Sequence, residues 1–207
     1  MKKLLAAVAI SLFMLNAGGT LGASDVFTFR ADSITGTRSM GREVTILSGN
    51  AEVRSDTMLL RADRIEIHGE NNRFIYCIGN VWGFEEDRNI IFTTDILRHD
   101  RILQITRMEG NSTLEDRENE IVARARFIEY DDENEVAIFQ IGVRLFADDM
   151  VCRSEHAVYN RRTQILDLSG FPTVFMGDDE FRSDRIRVDL NTNDVVMEGG
   201  ATGIIRN

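Results

Sequence analysis

Apolar and polar residues alternate along most of this chain with a period of two, and short polar runs break the alternation at intervals. That period predicts half-buried β-strands. In "LLRADRIEI", residues 59–67, the apolar face holds Leu60 and Ala62 and then changes parity to Ile65 and Ile67. Strict alternation cannot change parity, so the strand must bend or bulge at Asp63, with the small Ala62 inside the corner. The same arrangement recurs around Asp32, Asp95, Arg126, Glu155 and Asp184, at intervals of about 30 residues.

A second set of strands carries a glycine column: Gly49, Gly79, Gly110, Gly142, Gly170 and Gly199. Here the inward positions two before and four after the glycine share one parity. Counted this way, Gln140, Arg144 and Phe146 fall on the inward face of the fourth copy. Gly at the crease is expected to let opposing backbones approach. The carboxylate column is expected to accept hydrogen bonds from backbone amides freed at the corner. Short polar connections such as "EEDRN", "EDRENE", "DDEN" and "NRRT" read as hairpin turns. The expectation is an all-β fold: six repeats of ~30 residues forming a sheet of about twelve bent antiparallel strands. That sheet folds along its length into two walls over an apolar interior, with negligible helix.

The amino terminus differs in kind. Lys2 and Lys3 precede the apolar run Leu4–Leu15 and small residues ending at Ala23. This reads as a signal peptide over 1–23 followed by one domain over 24–207, the alternative being an uncleaved membrane anchor. Lys2 and Lys3 are the chain's only lysines, and its net charge is −10. Such a surface argues against nucleic acid as a partner, and against docking on anionic headgroups by charge alone. The single proline, Pro172, agrees with long uninterrupted strands.

Cys77 and Cys152 fit no metal or redox spacing. They fall five strand steps apart, about 24 Å, beyond the reach of a disulfide, so two buried free thiols are expected. His68, His99 and His156 sit in separate repeats without metal-ligand spacing. The isolated carboxylates lack the dense oxygen cluster of a Ca²⁺ site. No cofactor and no enzymatic activity are expected.

"RADSIT", "LSGNAEV", "LRADRIEI", "CIGNVWGF", "EGNSTL" and "RSDRIRV", alternating at a steady period behind a signal-like leader, resemble the OstA-like family, the group of the periplasmic lipopolysaccharide-transport protein LptA. The resemblance covers essentially all of the chain after the leader. It departs at Arg126, which replaces the acid, and at "IGVRLF", which replaces Gly-Asn. The resemblance implies a half-open β-jellyroll in the periplasm that stacks head to tail with its own copies. It also implies contact with inner- and outer-membrane transport proteins bearing similar jellyroll domains. A groove would carry the acyl chains of lipopolysaccharide or another amphipathic lipid toward the outer membrane. Burying a chain is worth about 0.8 kcal/mol per methylene, so apolar columns alone could hold it. The candidate groove residues are Phe29, Leu60, Ile65, Ile67, Cys77, Val81, Phe92, Leu97, Met108, Leu114, Ile128, Phe146, Leu168 and Phe181. The alternative is a structural β-repeat protein of the cell envelope, in which the same columns make a closed core. Edge strands near Val26–Arg30 and Val195–Ile205 would be the stacking surfaces.

Overall fold

A computed structural model of the chain describes residues 28–39 and 42–206. The leader expected over 1–23 lies outside the described residues. In chain order the strands are β1 (Thr28–Arg30), β2 (Ser33–Ser39), β3 (Arg42–Arg54), β4 (Met58–His68), β5 (Phe74–Glu85), β6 (Ile90–Asp100), β7 (Ile105–Asp116) and β8 (Ile121–Asp131). They continue as β9 (Val136–Ala147), β10 (Met150–Asn160), β11 (Ile165–Ser169), β12 (Thr173–Met176), β13 (Asp179–Arg182), β14 (Arg185–Asp189), β15 (Asp194–Glu198) and β16 (Thr202–Ile204). Among the described residues the one helical element is a single 3-10 turn, Glu70–Asn72.

All sixteen strands join one antiparallel sheet in nearly sequential order. β3 to β10 run unbroken, while β1–β2, β11–β12, β13–β14 and β15–β16 are each a strand split at its bend. β1 and β2 both pair with β3, and β11 and β12 both pair with β10. Each strand therefore contributes half its length to a first wall and half to a second. The first wall ends at the turns after β3, β5, β7, β9 and β12. The second ends at the turns after β4, β6, β8, β10 and β14.

The bend is a two-against-one bulge, and it explains the parity change. Ser48 pairs with Arg64 and Ala51 with Ala62, so Gly49 and Asn50 together stand opposite Asp63 alone. The same count places Gly79 and Asn80 opposite Asp95, and Gly110 and Asn111 opposite Arg126. The extra residue needs left-handed backbone: φ is +75° and +46° at Gly49 and Asn50, and +76° and +46° at Gly79 and Asn80. In β4, β6, β8 and β10 the buried positions shift parity across the acidic column as the sequence pattern requires.

What the glycine makes room for differs from the expectation. A side chain on Gly79 would run into the Asp63 carboxylate of the preceding strand, and Gly49 and Gly199 are covered in the same way by Asp32 and Asp184. The carboxylates are held largely by side-chain amides: Asn50 donates to Asp32 at 3.0 Å and Asn80 to Asp63 at 2.9 Å. Asn111 donates its backbone N–H to Asp95 at 2.9 Å.

The fourth copy corrects the column reading. The left-handed pair there is Ile141 and Gly142, both at φ +67°, and Gln140 pairs with Phe127. Ile141 thus occupies the glycine place and Gly142 the asparagine place. The physical reason is Arg126: with no short carboxylate lying over the crease, the first position no longer has to be glycine. Counting from Gly142 was off by one residue. Arg144 is exposed and Phe146 faces outward, while Phe139, Val143 and Leu145 face inward and are buried.

The space between the walls is one continuous apolar cluster from Leu47 to Val188. Cys77 on β5 and Cys152 on β10 are buried free thiols, and burial pushes each up to about 12.

Candidate functional site

The interior between the walls is the candidate site, since it gathers most of the residues singled out from the sequence. Leu60, Ile65, Ile67, Cys77, Val81, Phe92, Leu97, Met108, Leu114, Ile128 and Leu168 all lie in the buried cluster. Phe181, on β13, is half-buried against it. Phe29 lies on the edge strand β1 and is 40 % exposed. Phe146 is not part of the interior; its ring lies on the outer face beneath the Arg124 guanidinium, 5.7 Å away.

Above the apolar rows the inward columns end in charge. Glu85 and Asp116 occupy inward positions at the last residues of β5 and β7, and both are buried. Asp132 stands two residues past the buried Tyr130, just beyond the end of β8. Burying carboxylates is costly unless they are paired, and two arginines from the turns supply the pairing. Arg88, in the turn after β5, ion-pairs with Glu85 and reaches the opposite rim, where Nη2 donates to the Asp132 carbonyl at 2.9 Å. Arg161, in the turn after β10, spans the mouth from the other side. Its Nε donates to Asp116 Oδ2 at 2.8 Å, Nη1 to Glu135 at 3.3 Å and Nη2 to the Arg88 carbonyl at 3.3 Å. Nη2 also pairs with Glu118. These bridges close the two rims over the middle of the apolar interior.

Beside this closure, toward the amino-terminal end, the mouth is open. A cavity of about 310 Å³ lies between the turn holding Ser55 and Thr57 and the turn holding Arg101 and Gln104. Val53, Met58, Leu60 and Ile75 supply its apolar lining, and Glu85, Arg88, His99 and Asp132 its polar lining. Burial, with the nearby Glu85 charge, raises the Asp132 carboxyl to about 7. Burial raises Glu85 as well, against the pull of Arg88. His99 is lowered to about 4 by burial and by Arg101, and its ring contacts the Thr106 hydroxyl at 2.9 Å. His68 stacks on Phe74 and His156 lies at the crease beside Ser169, so the three histidines stay apart.

Sequence reasoning missed two groups. Phe139 and Leu145 were lost to the one-residue offset, for which the paired positive φ at Ile141 and Gly142 is the structural mark. Arg88, Arg161, Asp116 and Asp132 stand within "EEDRN", "NRRT", "EDRENE" and "DDEN", whose composition predicts polar turns and nothing more. The available signal was parity: Glu85 and Asp116 continue the inward columns of their strands, where an uncompensated carboxylate would be out of place.

A family model described as OstA-like protein matches residues 23–169. Among solved structures the chain is similar to LptH of Pseudomonas aeruginosa, titled the LptA homologous periplasmic component of the lipopolysaccharide transport device. The identity is 9 %, covering 89 % of this chain and 97 % of that one, with a TM-score of 0.27. No curated protein matches the chain significantly.

Proposed function

The chain belongs to the OstA-like family, and on that premise we propose that it is a periplasmic, non-enzymatic carrier that holds the acyl chains of an amphipathic lipid such as lipopolysaccharide between its two walls. The observation that carries this reading is the way the apolar interior reaches the surface. At the 310 Å³ cavity, Val53, Leu60 and Ile75 are reached between the rims, directly beside the Arg88 bridge. Separation of the rims at Arg88 and Arg161 would extend that opening over Phe92, Met108 and Leu114. Hydrophobic contact has no preferred direction along such a slot, which suits passage of a lipid from one rung to the next toward the outer membrane.

Both ends of the sheet support continuation into other copies or into membrane-bound jellyroll partners. β1 and β2 pair with β3 alone, and β16 pairs with β13 alone. Ile34 is 47 % exposed at the first edge, and Val196 and Ile204 are exposed at the last. Edges of this kind accept another strand, and head-to-tail addition gives an open filament.

A second reading, a scaffold with a closed core, is favoured by the packing itself: Leu47, Ile65, Phe139 and Leu145 are fully buried by their own neighbours. Photocrosslinking side chains at Ile67 and Leu114 in cells separate the two. Lipid adducts at both positions are expected of the carrier. Adducts within the chain alone would leave the scaffold.

A further inference from the structure

The departures at Arg126 and Arg144 take on meaning on the outer face of the first wall. Arg144 pairs in register with Arg124 on one side and with Arg153 on the other. Thr113 continues the row beyond Arg124, and Thr173 continues it beyond Arg153. Arg126, exposed at the crease, stands two residues from Arg124. Like charges directly opposite each other destabilise a sheet. On the second wall Arg98 also stands opposite Arg107, but there each is neutralised, Arg98 by Glu109 and Arg107 by Glu129. Arg64 and Arg187 on the same wall are paired as well, with Glu66 and Asp167. Among the described residues none of Arg124, Arg126, Arg144 and Arg153 has a carboxylate partner.

The carboxylates around the row are engaged elsewhere. Glu115 pairs with Arg117, Glu180 with Arg182, and Glu155 accepts the Gly142 N–H at 3.2 Å. The guanidinium groups of Arg124 and Arg153 are laid over the rings of Phe146 and Phe175, at 5.7 and 5.1 Å. Stacking of this kind holds the planar groups in place and leaves their N–H edges available. At ~4.8 Å per strand, the three arginine positions span about 10 Å of an exposed face.

We propose that this arginine row is a binding site for a compact ligand carrying two or more phosphate groups, separate from the apolar interior. Guanidinium forks match phosphate oxygens in pairs, and the hydroxyls of Thr113 and Thr173 offer further donors at the row's ends. A flat anionic surface fits less well, because the chain is net −10 and Asp148, Asp149 and Asp178 occupy the turns of the same wall. A compact ligand meets the row without approaching those turns.

The test is calorimetric titration of the full chain with sodium tripolyphosphate at low salt. A parallel arm uses sedimentation with phosphatidylcholine vesicles, with and without phosphatidic acid. Saturable binding of tripolyphosphate is expected, weakened about tenfold or more in Arg144→Gln and unchanged in Arg187→Gln on the second wall. Arg144→Gln should keep or raise the Tm, since it removes a like-charge opposition. Binding of tripolyphosphate without vesicle binding assigns a soluble source. Phosphatidic-acid-dependent sedimentation that Arg144→Gln abolishes assigns a lipid headgroup. The proposal falls if the wild-type chain binds in neither arm, or if Arg144→Gln and Arg187→Gln behave alike. It also falls if an oligo-aspartate peptide binds more tightly than tripolyphosphate, which would point to a protein partner.

Discussion

Arg161 and Asp116 meet across the mouth of the folded sheet, Nε to Oδ2 at 2.8 Å, although 45 residues of chain separate them. Asp116 is 1 % exposed and also accepts the Asn119 side-chain amide at 2.7 Å. The pair ties a turn of the second wall to the end of a first-wall strand, so the closed state of the interior depends on it.

Removing one partner of a buried ion pair leaves the other charge uncompensated, at a cost of about 3–5 kcal/mol. Arg161→Met is therefore expected to lower stability by roughly that amount in urea denaturation. It should also increase uptake of an apolar fluorescent probe by the folded chain, as the rims separate. Asp116→Asn, which keeps a hydrogen-bond acceptor for Arg161 Nε, should show a smaller effect in both measurements.

Asp132 gives the mouth a pH dependence. Its carboxyl lies at about 7 in the folded chain against an ordinary 3.8, because burial and Glu85 disfavour the charge more than Arg88 restores it. Between these values the unfolded chain has released a proton that the folded chain keeps, so this group's contribution to stability falls as pH rises from about 4 to 7. Asp132→Asn cannot ionise. Its Tm relative to wild type is expected to rise between pH 5 and pH 8, as read by thermal scans; a constant difference would contradict the assignment.

The crease glycines offer a graded comparison. At Gly79 an added Cβ meets the Asp63 carboxylate and φ is +76°, so Gly79→Ala incurs both steric and backbone strain. At Gly142 nothing lies within 4 Å of an added Cβ, and the φ of +67° is the sole penalty. Backbone strain alone is worth about 1–2 kcal/mol, so Gly142→Ala should fall in that range and Gly79→Ala well beyond it by denaturant midpoint.

Two phenylalanines on β9 test the offset in the fourth copy. Phe139→Ala empties a fully buried position and should cost about 3–5 kcal/mol. Phe146→Ala removes an outward ring that stacks with Arg124 and should cost well under half as much. The reverse order would restore the column reading taken from Gly142.

Much of the fold was legible because its determinants are local. The parity change around Asp63 requires a bend wherever the strand pairs, and Gly-Asn opposite it supplies left-handed backbone from its own conformational range. The misreading at Gly142 came from a coupling between strands. Ile141 is tolerated at the first crease position because Arg126, on the neighbouring strand, places no carboxylate above it, and no inspection of "IGVRLF" alone contains that fact.

The chain's own order determined the strands, their bends, their sequential pairing and the apolar face each turns inward, because period, parity and turn chemistry act within a few residues and between adjacent hairpins. Tertiary structure decided which rim meets which. Arg88 with Asp132, and Arg161 with Asp116, join residues 44 and 45 positions apart. Their pairing depends on how far the two walls fold toward each other. That angle is set by the packing of the whole apolar interior, a collective property that no single stretch of residues encodes.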